Sequence, residues 1–74
     1  MFVVNDYSLI EGENSRRETF DEERFKNFGE AFKRFNRYVE INRSVFDEVH
    51  WEVRLRYLDE EEGLYVKLLE EVGN

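Results

Sequence analysis

The sequence predicts an α+β fold, an antiparallel sheet with a single amphipathic helix packed on one face. Three observations predict it. Phe25, Phe28, Phe32, Phe35 and Val39 recur at helical spacing and form one apolar stripe. Residues 48–58 alternate apolar and polar side chains, the period of a half-buried strand. The acidic stretch Asp59-Glu60-Glu61-Glu62-Gly63 then divides that strand from a second apolar run, residues 64–69. The order of elements is a β-hairpin or single strand, the helix, then a β-hairpin, that is ββαββ or βαββ.

The first element is residues 2–10, rich in β-branched and aromatic side chains, which reads as a strand. Glu11-Gly12-Glu13-Asn14 is a polar turn. Residues 15–20 return as a short second strand or stay irregular. Arg16, Arg17 and Glu18 are poor strand material that an edge position tolerates.

Two start signals compete for the helix. Thr19 with Glu22 makes one capping box, and Asn27 with Glu30 makes another. A start near 21 takes Phe25 into the stripe; a start near 28 leaves it out. The helix ends near Asn42-Arg43-Ser44. Phe32 is placed in the core, where truncation to alanine costs about 3–5 kcal/mol.

In the C-terminal hairpin Val49, Trp51, Val53, Leu55 and Tyr57 share one face, and His50, Glu52, Arg54 and Arg56 share the other with Leu58. Pairing Asp59 with Leu64 sets Tyr57 opposite Val66 and Leu55 opposite Leu68, all facing the core. That register leaves Leu58, Tyr65 and Leu69 on the outer face.

At 74 residues the chain is one domain, residues 1–74, with a small core. It has no cysteine and one histidine, so disulfides, a structural zinc and a cysteine nucleophile are excluded. Seven Phe, four Tyr and one Trp supply the buried mass instead. No run approaches the roughly 20 apolar residues of a membrane span, and Met1-Phe2-Val3-Val4 lacks the basic start of a signal peptide. A cytoplasmic location is expected.

Little in the sequence points to chemistry. His50 stands on a polar strand face with no nucleophile in a recognisable motif; Ser8, Ser15, Thr19 and Ser44 are isolated. Glu60-Glu61-Glu62 lie in a solvated turn with no apolar pocket to shift a carboxyl pKa. Metal-binding and phosphate-cradling motifs are absent. The expectation is a protein that is not an enzyme and uses no cofactor or metal.

Charge is distributed unevenly. Residues 15–43 hold eight bases and six acids, whereas residues 44–74 hold three bases and nine acids, within a net charge of -7. Lys26, Lys33, Arg34 and Arg37 lie on the helix side opposite the phenylalanines. Glutamates interleave with them at spacings that pair Lys26 with Glu30, Glu30 with Arg34 and Arg37 with Glu40. Direct nucleic-acid binding is therefore disfavoured. The acids Asp47, Glu48, Glu52, Asp59, Glu60, Glu61, Glu62, Glu70 and Glu71 gather on the C-terminal hairpin. Carboxylates held on strands and turns imitate the regular negative charge of duplex DNA. The expected partner-binding surface comprises Glu52, Asp59, Glu60, Glu61, Glu62, Glu70 and Glu71, with Leu58 and Tyr65 as apolar anchors.

The helix start Phe28-Gly29-Glu30-Ala31-Phe32-Lys33-Arg34-Phe35, set between short hairpins, resembles small proteins of phages and mobile elements. Anti-CRISPR and other host-inhibitor proteins are similar in size, acidity and strand–helix–hairpin order. The resemblance implies an inhibitor in the host cytoplasm that blocks a basic, nucleic-acid-binding surface of a host protein such as a nuclease or polymerase. The alternatives are a homodimeric assembly protein and a nucleic-acid-binding module using the basic helix face.

Overall fold

Residues 2–25 pair with themselves as one long hairpin. In this computed structural model, which describes residues 1–12, 14–45, 49–59, 61 and 64–74 (the side chains of 64–66 excepted), β1 spans Phe2–Glu11 and β2 spans Arg16–Phe25. Their register runs unbroken from Phe2↔Phe25 to Glu11↔Arg16. The turn closes with a hydrogen bond from Gly12 N to Ser15 O at 2.7 Å. The order is therefore ββαββ, and the second strand reaches five residues past the expected 20. Its charged run, Arg16-Arg17-Glu18, is accommodated because β2 is an edge strand, paired among the described residues with β1 alone.

Extension of β2 displaces the helix. Thr19 and Phe25 belong to the strand, and α1 spans Phe28–Val45. The capping box that operates is the later one: the backbone N–H of Glu30 donates to Oδ1 of Asn27 at 3.3 Å. The start near 21 is overturned because residues 21–25 continue β2, where each gains a cross-strand partner among residues 2–6 of β1.

β3 spans His50–Asp59 and β4 spans Leu64–Gly73. All neighbours are antiparallel, in the order β2-β1-β3-β4. The expected Asp59↔Leu64 pair is present, but two bulges in β4 change the rest of the register. Tyr57 faces Lys67 in place of Val66, and Leu55 faces Glu70 in place of Leu68. Val66 and Leu69 are the extra residues that have no partner of their own.

The helix packs on one face of the sheet, chiefly over β1 and β3. Val4, Ala31, Phe35, Val39, Trp51, Val53 and Leu55 form the buried core, and Phe2, Phe25, Tyr38, Leu69 and Val72 pack around it. Asn42 is also buried and donates to Asp6 on β1. At the far end of the β3–β4 ladder Gly73 passes so close that a Cβ would lie 2.9 Å from the carbonyl oxygen of Trp51. Asn74 accepts from Trp51 N at 2.9 Å and donates to Val49 O at 2.6 Å, closing that end.

Candidate functional site

The helix stripe is wider than the sheet can cover. Ala31, Phe35, Val39 and Asn42 point at the sheet, whereas Phe28 and Phe32 are turned aside, 47 % and 38 % exposed. Tyr57, expected in the core, is 39 % exposed. These rings form a continuous row. Tyr57 meets Phe2 edge-on at 5.4 Å, and Phe2 meets Phe28 edge-on at 5.5 Å. Phe28 stacks on Phe32 at 5.6 Å, and Phe32 on the buried Phe35 at 6.3 Å. Such pairs contribute beyond their buried area, so the row is rigid although its rim is open.

The acidic turn begins two residues past Tyr57. Asp59 accepts from the backbone N–H of Glu61 at 2.9 Å, which fixes its carboxylate, and Glu61 is exposed. Glu60 and Glu62 lie outside the described residues, as do Asp47 and Glu48 and the side chain of Tyr65. The row of rings and this turn form a surface with an apolar centre and a charged margin.

The expected anchors are different residues. Leu58 is buried, 6 % exposed, because Met1 extends the β1–β3 ladder past Phe2 and flanks it. Its N–H donates to Met1 O at 2.8 Å. Leu69 is drawn against the core by the bulge and is half-buried. The apolar anchors available beside the acids are Phe28, Phe32 and Tyr57. Sequence reading missed them by assigning every ring of the stripe to the core. Phe28, Phe32, Phe35 and Tyr38 are more ring than the sheet-facing stripe of one helix can bury, and that excess was the available signal.

The remaining acids are not one cluster with the turn. Glu52 and Glu71 lie on the sheet face away from the helix, where Arg54 Nε is 2.6 Å from Glu52 and 3.6 Å from Glu71. The two carboxyls share a hydrogen bond. It holds Glu52 below the usual carboxylate range and, with the charge of Glu52, raises Glu71. Glu70 is exposed opposite Leu55.

That outer face is organised by arginines. Asn5 is buried at its centre, accepts from Arg56 Nε at 3.0 Å and donates to Glu22 at 3.3 Å. Arg16 pairs with Glu18 at 2.8 Å and reaches Glu11 at 3.9 Å, and Arg24 pairs with Glu22 at 3.5 Å. Asn5, Tyr7, Phe20, Glu52, Arg54 and Arg56 line a shallow groove of about 230 Å³. Tyr7 faces Phe20 across β1–β2, and its ring meets His50 edge-on at 6.1 Å. Ser8 belongs to the opposite face, opposite Trp51, so no serine is presented to His50 there.

The helix back differs from expectation too. Arg34 reaches across to Glu23 on β2 at 3.2 Å, leaving Glu30 aside. Glu23 also accepts from the Tyr38 hydroxyl at 2.6 Å, and burial together with that bond pushes the phenol up to about 12. Among the described residues Lys26, Lys33 and Arg37 enter no ion pair, and the three expected helix pairs are not formed. No group of three His, Asp or Glu is placed to hold a metal ion, and no helix is long and apolar enough to cross a membrane, among the described residues. Comparisons with protein families, with characterised proteins and with solved structures return no match for this chain.

Proposed function

We propose that this chain is a small protein-binding protein that works without catalysis, as an inhibitor of the kind phages and mobile elements carry into a host cytoplasm. It occupies a basic, nucleic-acid-binding surface of a host protein such as a nuclease or polymerase, by charge mimicry and steric occlusion. The observation that supports this reading is the exposed row Tyr57, Phe28 and Phe32, stacked through Phe2, with Asp59 and Glu61 at its end. Aromatic rings half out of a core are costly to leave in water and are the residues that dominate binding energy at interfaces. Fixed carboxylates beside them steer a cationic partner and select against an acidic one.

Affinity capture from host lysate tests this. The wild-type chain is expected to retain a basic protein, with binding that weakens as salt rises. The pair Phe28→Ser and Phe32→Ser loses that protein while its circular dichroism is unchanged, and Glu61→Lys slows association. Equal capture by the doubly substituted chain refutes the reading. A nucleic-acid-binding module is the second reading, favoured by Lys33 and Arg37, which line a cleft of about 530 Å³ beside Phe25. A gel shift with DNA or RNA at low salt that Lys33→Glu abolishes supports it.

A further inference from the structure

The outer sheet face stands apart from the surface just described. It lies on the opposite side of the sheet, and its carboxylates are paired with arginines. On a chain of net charge -7, every described carboxylate of this face has an arginine partner. Glu11 and Glu18 share Arg16, Glu22 pairs with Arg24, and Glu52 and Glu71 share Arg54. Five carboxylates stand against four arginines, Arg56 included, so the face is close to neutral, and it presents both signs along β2 and β3. Tyr7 lies between these strands on β1, and beside it the 60 % exposed Phe20 stands on β2, both at the groove.

We infer that this face is the dimer interface of the protein, and that its occupant is a second copy of the same chain packed sheet to sheet about a two-fold axis. A two-fold contact needs a self-complementary patch. A face whose carboxylates are paired with arginines of the same copy presents no large like-charged patch to its own image, so a two-fold contact is not opposed by local repulsion. Phe20, halfway along the edge strand β2 and open, supplies the apolar contact, and arginines and aromatic rings are the residue types enriched at such interfaces. The area suffices. Four strands of ten residues make a face of about 19 by 33 Å, or about 1,200 Å² for two copies, above the roughly 1,000 Å² a specific interface needs. Strand-edge pairing is the competing route to a dimer, and both edges oppose it. β2 is studded with charge and β4 is broken by two bulges. Face-to-face packing leaves both aromatic rows on the outside, so the dimer presents two copies of the proposed inhibitory surface.

The salt response separates this contact from partner binding. The copies repel through their net charge while the contact itself is close to neutral and its charges are paired within each copy, so added salt strengthens the dimer, whereas it weakens the capture proposed above. Sedimentation equilibrium of the full chain from 10 to 500 μM is expected to give twice the 9.1 kDa protomer mass, more completely at 0.5 M than at 0.05 M salt. Phe20→Glu should weaken self-association at least tenfold. Because Phe20 is exposed, that variant keeps the wild-type melting temperature at concentrations low enough for both chains to be monomeric; should it not, concentration-dependent amide shifts of wild-type Tyr7, Phe20, Arg54 and Arg56 report the same contact. A wild-type monomer at 500 μM overturns the inference. So does a dimer that survives Phe20→Glu and is lost on Phe28→Ser with Phe32→Ser. A monomer whose Tyr7 and Phe20 signals move only when single-stranded oligonucleotide is added also overturns it, in favour of a nucleic-acid platform.

Discussion

The side-chain amide of Asn42 donates to Oδ1 of Asp6 at 2.8 Å, tying the last turns of α1 to the middle of β1. The carboxylate is poorly placed for its charge. Burial raises its pKa; the bond from Asn42 lowers it in part, and Asp21, directly across on β2, raises it again. A group whose folded pKa is raised contributes stability below its unfolded value, and loses it as pH rises through the folded value. At pH 7 the charged Asp6 therefore weakens the fold. Asp6→Asn keeps an acceptor for Asn42 and removes the charge. Its urea midpoint at pH 7 should exceed that of wild type, and the gain should vanish near pH 3. A lower midpoint at pH 7 would contradict this account.

Phe35 and Phe32 separate a core ring from a surface ring on the same helix. Phe35 is 3 % exposed, so Phe35→Ala should cost about 3–5 kcal/mol, much of the stability of a domain this size. Phe32→Ala should cost about 1–2 kcal/mol, because much of its area is already in water. Urea denaturation of the two variants measures the difference; equal costs would place both rings in the core.

Helix initiation depends on Asn27. Asn27→Ala removes the acceptor of the Glu30 N–H and should cost about 1 kcal/mol. Thr19→Ala, in β2, should leave helix content unchanged. Hydrogen exchange at residues 28–31 distinguishes them, because only the first variant should accelerate it.

Glu52 and Glu71 should titrate as a pair. Glu71, raised, contributes stability that is lost as pH rises through its folded value. Glu52, lowered, contributes stability that is lost as pH falls through its own. Arg54 opposes the rise at Glu71 without overcoming it. Carboxyl carbon shifts should show two steps, one on each side of the ordinary value of 4.5. Glu71→Gln should erase the upper step and leave the Glu52–Arg54 bond intact. A single step near 4.5 in wild type would rule out the shared proton.

Local pattern carried the fold a long way. The alternation from His50 to Tyr57 and the Asp59↔Leu64 closure are written in adjacent residues, and both are present. What the pattern did not hold was non-local. Arg16-Arg17-Glu18 becomes strand only because β1 lies beside it, and Phe25 leaves the helix for the same reason. The bulges at Val66 and Leu69 depend on how β4 twists against β3, which no single strand encodes. Of the expected surface, Asp59 ends β3 and Glu61 is exposed just beyond it. Leu58 was misplaced because its cover, Met1, is fifty-seven residues away. The excess of rings in the helix was legible, but which rings stay outside depends on the width of the sheet.

The two unpartnered residues of β4 give that strand slack. Removing Leu69 lets Leu68 and Glu70 follow one another against Arg56 and Leu55 without changing any other pair. Removing Glu70 in its place lets Leu69 stand opposite Leu55, and the pairs on either side are again unchanged. Single-residue deletions along this strand should thus be unequal. Those at or beside a bulge should cost only the lost side chain, and those farther away, such as Val72, the alignment of the arm on that side. Through its bulges the strand holds spare length, a reserve from which the chain can shorten without refolding.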